Sequence, residues 1–329
     1  MIITRTPFRV SFLGGGTDIP WFSQEYGGCV ISTAIDRHMY LSAHPLFEEE
    51  ELLLKYSKTE RVKNSSEIEH PIFREALSTT DVSGLDISVS ADFPAGTGLG
   101  SSSAFTVGLL NLLNAQKGIN ASKSMLAEAA CELEIRKLQE PIGKQDQYAS
   151  AYGGFNYIEF QRDGAVQVSP IITCNSASEW LSNSMILVWE GGKPRSASAI
   201  LRDLEKSAKT YKNAIEALRE LADLTRDSVS AIQNDVSSLG PLLKESWALK
   251  KKSNPSAISQ STEELIDFGI AKGALGAKLL GAGGTGFVLF LVEPSLTKKF
   301  LAEMRPKKAH QVAIDETGST VIYSNVGGK

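Results

Sequence analysis

The sequence predicts an α+β protein built from two domains. A length of 329 residues exceeds the usual single-domain range. The first half carries a strand, a glycine-rich loop and a helix in direct succession. The second half alternates helical segments with short apolar strands, as in an α+β domain. The pattern changes near residue 180, so the expected domains are residues 1–180 and 181–329. Hydrophobic residues make up 42% and charged residues 22%, the balance of a folded rather than a disordered chain.

In chain order, Phe8-Arg9-Val10-Ser11-Phe12-Leu13 alternates as a strand, and Gly14-Gly15-Gly16-Thr17-Asp18 breaks it. Cys29–Ser32 and Met39–Ala43 resume it. The acidic run Glu48–Glu51 reads as a solvated turn between strands. Pro71 stands where its fixed φ opens a helix at Ile72–Leu77. Leu85–Ser90 alternates again and delivers the chain to Pro94-Ala95-Gly96-Thr97-Gly98-Leu99-Gly100-Ser101-Ser102-Ser103-Ala104.

That loop reads as a phosphate cradle. Its glycines let backbone N–H groups approach an anion, and Ser101, Ser102 and Ser103 place hydroxyls at a helix N-terminus that favours negative charge. It is not a Walker A loop, which needs G-x-x-x-x-G-K-[ST]. Nor is it the dinucleotide fingerprint, because its third glycine comes one residue early.

Ser122 or Ser124 caps a further helix, expected to run to about Leu138. On it Glu128, Glu132 and Arg136 form one stripe, while Glu134 falls roughly 160° from Glu132, among Ala127, Ala130 and Leu138. A carboxylate on that apolar side needs a cation or strong donors; a metal ion would supply this, as would an ion pair with a neighbouring Arg or Lys. Pro141-Ile142-Gly143-Lys144-Gln145-Asp146-Gln147-Tyr148 then starts a helix whose N-terminus favours ionised Asp146, as a proton acceptor requires. Gly153-Gly154 ends it, and a hairpin follows around Asp163-Gly164.

Beyond the boundary, Met185–Trp189 is a buried-type strand. A long helical pattern runs from Ser198 to about Leu221, with Arg195 near its start as an anion candidate. Helices are expected at about 225–239, 241–252 and 261–275, and strands at Gly286–Leu291 and Val321–Tyr323. Gly281-Ala282-Gly283-Gly284-Thr285-Gly286 matches G-x-G-x-x-G, but it follows a helix and enters a strand, the reverse of a nucleotide-binding unit. It reads as a tight loop near the cleft.

A net charge of −4 gives no reason to expect nucleic acid as a partner. Three cysteines without a C-x-x-C fit a reducing compartment, and the four histidines lack metal-ligand spacing. No apolar run approaches the ~20 residues of a membrane span. Met1–Arg5 leads straight into patterned sequence, so a cytoplasmic location is expected.

Three stretches resemble the motifs of the GHMP kinases: Pro94–Ala104 the central ATP-binding motif, Arg5–Asp18 the N-terminal one, and Leu280–Phe287 the C-terminal one. The resemblance implies an N-terminal α/β domain with a left-handed βαβ phosphate loop and a ferredoxin-like C-terminal domain. Within the superfamily, Thr6–Asp18, Glu69-His70-Pro71 and Pro141–Tyr148 look most like D-glycero-D-manno-heptose 7-phosphate kinases. Galactokinases carry a glutamate and a histidine where Gly15 and Gly16 stand here.

The implied reaction is ATP-dependent phosphorylation of the anomeric hydroxyl of that heptose phosphate to the 1,7-bisphosphate, for nucleotide-activated heptose and surface polysaccharide. Pro94, Gly96, Gly98, Leu99, Gly100 and Ser101–Ser103 would hold ATP, and Ser102 or Ser103 with Glu134 would hold Mg²⁺. Asp146 would accept the proton, with Arg9 at the transferring phosphoryl. Gly15, Gly16, Thr17, Asp18 and Gly283 would meet the sugar, and Lys144 and Arg195 its phosphate. The expected partners are a sugar phosphate and ATP, with a homodimer left open and no nucleic acid or membrane. Another anomeric sugar kinase, fucokinase- or galactokinase-like, and a non-catalytic sugar and ATP sensor are the alternative readings.

Overall fold

Alternating apolar residues from Ile2 onward give strand β1 (Ile2–Gly14), which reaches helix α1 (Pro20–Tyr26) through the glycine run and then pairs antiparallel with β2 (Gly28–Pro45). The computed structural model describes residues 1–47, 50–80, 82–192, 196–210, 212–305 and 307–325. Helix α1 replaces the bare turn expected after the glycines; Pro20 at its first position and the buried ring of Phe22 favour it. β2 is one strand where two were expected. A register shift opposite Pro7 and Phe8 absorbs the polar Asp36-Arg37 pair without ending the ladder.

Glu50, in a turn, and Glu51 lead from β2 into a hairpin, β3 (Leu52–Lys55) and β4 (Thr59–Val62), so the described part of the acidic run lies between strands; Glu48 and Glu49 lie outside the described residues. Helix α2 (Pro71–Ser78) starts at Pro71, and β5 (Leu85–Ala91) lies antiparallel to β2 and parallel to β3. Gly100, in the left-handed region, turns the chain into α3 (Ser101–Gln116), which is buried along most of its length. The Ser122 hydroxyl accepts from Met125 N–H at 3.2 Å to cap α4 (Lys123–Cys131). That helix does not continue regularly to Leu138. It widens into a π-type turn over Glu132–Lys137, where Leu138 N–H bonds to Leu133 O. Helix α5 (Gln145–Tyr152) and the hairpin β6 (Phe155–Phe160) and β7 (Val166–Pro170) complete this half.

Helix α6 (Asn175–Ser184) leads to β8 (Met185–Trp189), the first strand of a second sheet. The pattern beginning at Ser198 is helical over α7 (Ala197–Thr210) and α8 (Lys212–Asn234), with residue 211 outside the described residues, and the expected break near 221–225 falls inside α8. Then come α9 (Leu239–Ser253) and α10 (Gln260–Ala271). Gly273, at φ +100°, stops α10 before 275 and opens β9 (Ala274–Leu279), an edge strand that the helical reading concealed. β10 (Phe287–Val292), α11 (Thr297–Glu303) and β11 (Ala309–Gln311) follow. The antiparallel order β11-β8-β10-β9 is a ferredoxin-like βαββαβ arrangement.

The last strand, β12 (Thr320–Ser324), crosses back to the first sheet and pairs with β1, ending at Arg5 opposite Thr320. We propose the domain boundary near residue 180, where the chain changes sheets, with β12 as a return crossing. One apolar cluster runs through both halves, from Phe8, Phe12 and Leu109 to Leu187, Leu243 and Leu289. It fixes the two sheets relative to each other and so sets the width of the cleft between them.

Candidate active site

Between the two halves lies a cleft of about 430 Å³. Its floor is β1. Beyond Arg5 that strand is no longer paired by β12, which frees Arg9 N–H to donate to Leu99 O at 3.1 Å and ties the strand to the glycine loop. The Arg9 side chain turns into the cleft. Its Nε and Nη2 donate to Asp146 Oδ1 and Oδ2 at 2.7 and 2.8 Å, and its Nη1 donates to Gly98 O at 2.7 Å. Such a bidentate fork fixes the carboxylate's orientation. Asp146 belongs to the first turn of α5, where the helix N-terminus also favours its charge.

The glycine loop is held from behind by the third motif. Gly98 sits at φ +85°, and a Cβ there would come within 2.8 Å of Leu280 O. A Cβ on Gly281 would come within 2.7 Å of the Gly98 Cα. Phe287 N–H donates to Thr97 O at 3.0 Å, so the two loops pack back to back across the domains. Gly96, Gly98, Gly100 and Ser101–Ser103 line the cleft, whereas Pro94 and Leu99 serve it through backbone carbonyls bonded to Thr97 Oγ1 and Arg9 N–H.

Asp18 forms the other end. Its carboxylate accepts from Gly16 N–H, Gln145 N–H and Gln145 Nε2 at 3.0–3.1 Å. A Cβ on Gly143 would lie 1.9 Å from Asp18 Oδ2, so only glycine admits this approach. Burial pushes the Asp18 carboxyl up to about 6, against the pull of the Gln145 N–H; the charge of Asp146 adds to the rise. Gly15 and Gly16 line the same corner.

Glu134, only 1% exposed, projects from the π-type turn. Ser102 Oγ donates to its Oε1 at 3.0 Å and Gln147 Nε2 to its Oε2 at 2.7 Å. Burial holds its carboxyl above the usual range, opposed by hydrogen bonds from Gln147, Ser103 and Ser102. Among the described residues no basic side chain pairs with it, and its partners are the hydrogen-bond donors Ser102, Ser103 and Gln147. A buried carboxylate beside a serine hydroxyl, both on the cleft, fits a hard divalent ion that takes few protein ligands.

Three of the residues expected at the sugar and its phosphate do not line the cleft. Lys144 Nζ donates to Gly164 O at 2.6 Å and does not line the cleft, because the hairpin turn after β6 captures it. Thr17 Oγ1 is spent on Cys29, donating to its O and accepting from its N–H, and so anchors the glycine run to β2. Gly283 packs on Ala257, where a Cβ would come within 2.8 Å of the alanine Cβ, rather than on the cleft. Arg195 lies outside the described residues.

Three cleft residues escaped the sequence reading. Gln145 sat between the more conspicuous Lys144 and Asp146. Lys250 reads as one member of the basic run Lys250-Lys251-Lys252, yet its Nζ turns inward to Leu279 O and Gly281 O at 2.9 and 2.7 Å. Lys278, 1% exposed, donates to Phe12 O at 3.1 Å. Burial pushes the Lys250 ammonium down to about 7, with Arg9 adding to the effect. Burial, then Lys250 and Arg9, carry Lys278 well below an ordinary lysine. A lysine inside the apolar run Ala277-Lys278-Leu279-Leu280 was the available signal.

Phosphoryl transfer asks a protein for little beyond positioning and charge stabilisation, and this cleft is organised around those two demands, as in kinases that act on an alcohol. The chain belongs to the GHMP kinases. The family's N-terminal domain model matches residues 68–154 and its C-terminal model residues 214–304, between them more than half of the chain. It is 25% identical over 327 residues, 94% of each chain, to a D-glycero-alpha-D-manno-heptose 7-phosphate kinase from Campylobacter jejuni. It is also 25% identical over 334 residues, 90% of each chain, to a galactokinase from Pyrococcus furiosus. The crystal structure of a D-glycero-D-manno-heptose 1-phosphate kinase from Bacteroides thetaiotaomicron superposes with a TM-score of 0.80 at 24% identity, over 98% of this chain and 100% of that one. The protein is therefore an ATP-dependent phosphotransferase with a small-molecule alcohol as acceptor. Among the described residues no helix is long and apolar enough to cross a membrane.

Proposed function

We propose that this kinase phosphorylates the anomeric hydroxyl of D-glycero-D-manno-heptose 7-phosphate, giving the 1,7-bisphosphate used for nucleotide-activated heptose and surface polysaccharide. The observation that carries it is the acceptor corner. With no side chain at Gly15 or Gly16, the cleft keeps room beside Gln145, whose buried Oε1 has no hydrogen-bond partner, and the Asp18 carboxylate lines the same corner, which suits a long, hydroxyl-rich sugar. The relative named a heptose 7-phosphate kinase, matched over 94% of both chains, supports the same reading.

In this scheme the glycine loop and Ser101–Ser103 cradle the ATP phosphates, and the apolar end formed by His70, Ile72 and Leu138 receives the purine. Ser102 or Ser103 with Glu134 would hold Mg²⁺, which would supply charge neutralisation on those phosphates. Asp18 and Gln145 orient the sugar. Asp146, gripped by Arg9, takes the hydroxyl proton as the sugar oxygen bonds to the γ-phosphorus and the bond to the β-phosphate oxygen breaks, releasing ADP. Arg9 stabilises the charge that develops on the phosphoryl oxygens.

The test is a panel of heptose 7-phosphate, free heptose, fucose and galactose with ATP and Mg²⁺, the product's phosphorylated position being read by NMR. A C1-phosphorylated heptose 7-phosphate as the preferred product is expected. Preference for fucose or galactose would replace this reading by the second one, an anomeric kinase of another sugar, which the equal identity to a galactokinase favours.

A further inference from the structure

We propose that Lys250 and Lys278 form the receptor for the acceptor's own phosphate group, on the wall of the cleft contributed by α9 and β9. The inference rests on the reading of the acceptor as a phosphorylated sugar. Among the described residues that line the cleft, the arginines and lysines are Arg9, Lys250 and Lys278. Arg9 is committed, with two of its nitrogens on Asp146 and the third on Gly98 O. Neither lysine has a carboxylate partner among the described residues. Each rests on backbone carbonyls: Lys250 on Leu279 and Gly281, Lys278 on Phe12 and more distantly on Gly14.

Two lysine amino groups kept from water without counter-charge hold their protons weakly, and an arriving anion would supply the missing partner. Protonated as the anion binds, each ammonium has three donors and, with two aimed at carbonyl oxygens, keeps one for a phosphate oxygen.

Position favours the acceptor's phosphate for Lys278, while Lys250 rests on Gly281, which packs on Gly98 of the glycine loop. The carbonyls of Phe12 and Gly14 that hold Lys278 immediately precede Gly15 and Gly16 at the sugar corner. The ATP phosphates already have the glycine loop, the serines and the Glu134 cation site. The lysines also replace Lys144, which the hairpin turn holds away from the cleft.

The experiment measures KM and kcat for heptose 7-phosphate, for free heptose and for ATP in the wild type, Lys250→Met, Lys278→Met and Lys250→Arg. Removing one charge-assisted contact should raise KM for the phosphorylated acceptor about 10- to 100-fold while KM for ATP and for free heptose moves less than about threefold, and arginine at 250 should restore most of the loss. If Lys278→Met does not fold, Lys250→Met gives the same readout, since the Lys250 side chain is partly exposed along its length even though its amino group is buried. Variants that keep the wild-type preference for the phosphorylated acceptor overturn the inference. Equal losses with both acceptors also overturn it and assign the lysines to the transferred phosphoryl. A wild type indifferent to the acceptor's phosphate overturns the heptose 7-phosphate reading itself, and this inference with it.

Discussion

Arg9 and Asp146, 137 residues apart in sequence, meet in a two-pronged ion pair of 2.7 and 2.8 Å at the centre of the cleft. The pair joins the first strand to the start of α5. Because Arg9 also bonds to Gly98 O, the proton acceptor and the phosphate loop are held by one side chain. Their spacing therefore does not depend on a mobile element.

Asp146→Asn should lower kcat by about 10³-fold, within the range of a lost general base, with ATP affinity unchanged. Arg9→Lys keeps the charge and loses the fork, so a fall in kcat of about 10- to 100-fold is expected, with little change in KM for ATP. Steady-state kinetics and a nucleotide-binding titration check both. Near-normal turnover in the asparagine variant would remove Asp146 from the mechanism.

Glu134→Gln separates metal binding from stability. Its Mg²⁺ requirement should rise by at least the roughly 10- to 100-fold that a lost supporting partner costs a metal site. Replacing a buried, unpaired carboxylate by a neutral amide should leave Tm level or raise it, since burial already disfavours the charged form. A lowered Tm with an unaltered Mg²⁺ titration would make Glu134 a structural residue.

Gly98→Ala tests the loop-on-loop contact. The positive φ alone costs ~1–2 kcal/mol with a side chain, and here the new Cβ would also press on Leu280 O at 2.8 Å. Gly118→Ala is the control, at φ +73° with nothing within 4 Å. Urea unfolding should show the larger loss at position 98, together with a raised KM for ATP. Equal losses at the two sites would mean that the domains do not meet at this loop.

Much of this site was legible because its chemistry is written locally. The glycine loop, the capped helix carrying Glu134 and the helix start at Asp146 each announce themselves through neighbours a few residues away. What stayed hidden depends on distant partners. Lys250 reads as part of a basic run, and the apolar run around Lys278 gains meaning only once its Nζ is seen to reach Phe12 O. Thr17 and Lys144 look available until Cys29 and Gly164 are seen to occupy them. In the fold, β9 was masked because Ala274–Leu279 continues the apolar content of α10, and only the φ +100° of Gly273 separates helix from strand.

Asp18 gives a pH signature of defined sign. Its carboxyl lies near 6 in the folded chain and near 3.8 when unperturbed. Between those values the folded state binds the extra proton, so this group's contribution to stability falls as pH rises from about 4 to 6 and stays low above that. The full difference amounts to about 3 kcal/mol. Asp18→Asn has no such titration, and the other carboxylates cancel in the comparison. The stability of wild type minus variant, from urea unfolding at pH 4, 5, 6 and 7, should therefore decline by about that amount. The acceptor should respond in the opposite direction: below pH 6 a protonated Asp18 loses an accepting oxygen, and KM for the sugar should climb while KM for ATP holds. A stability difference that is flat across this range would mean that Asp18 is ionised throughout and owes its place in the fold to the three donors alone.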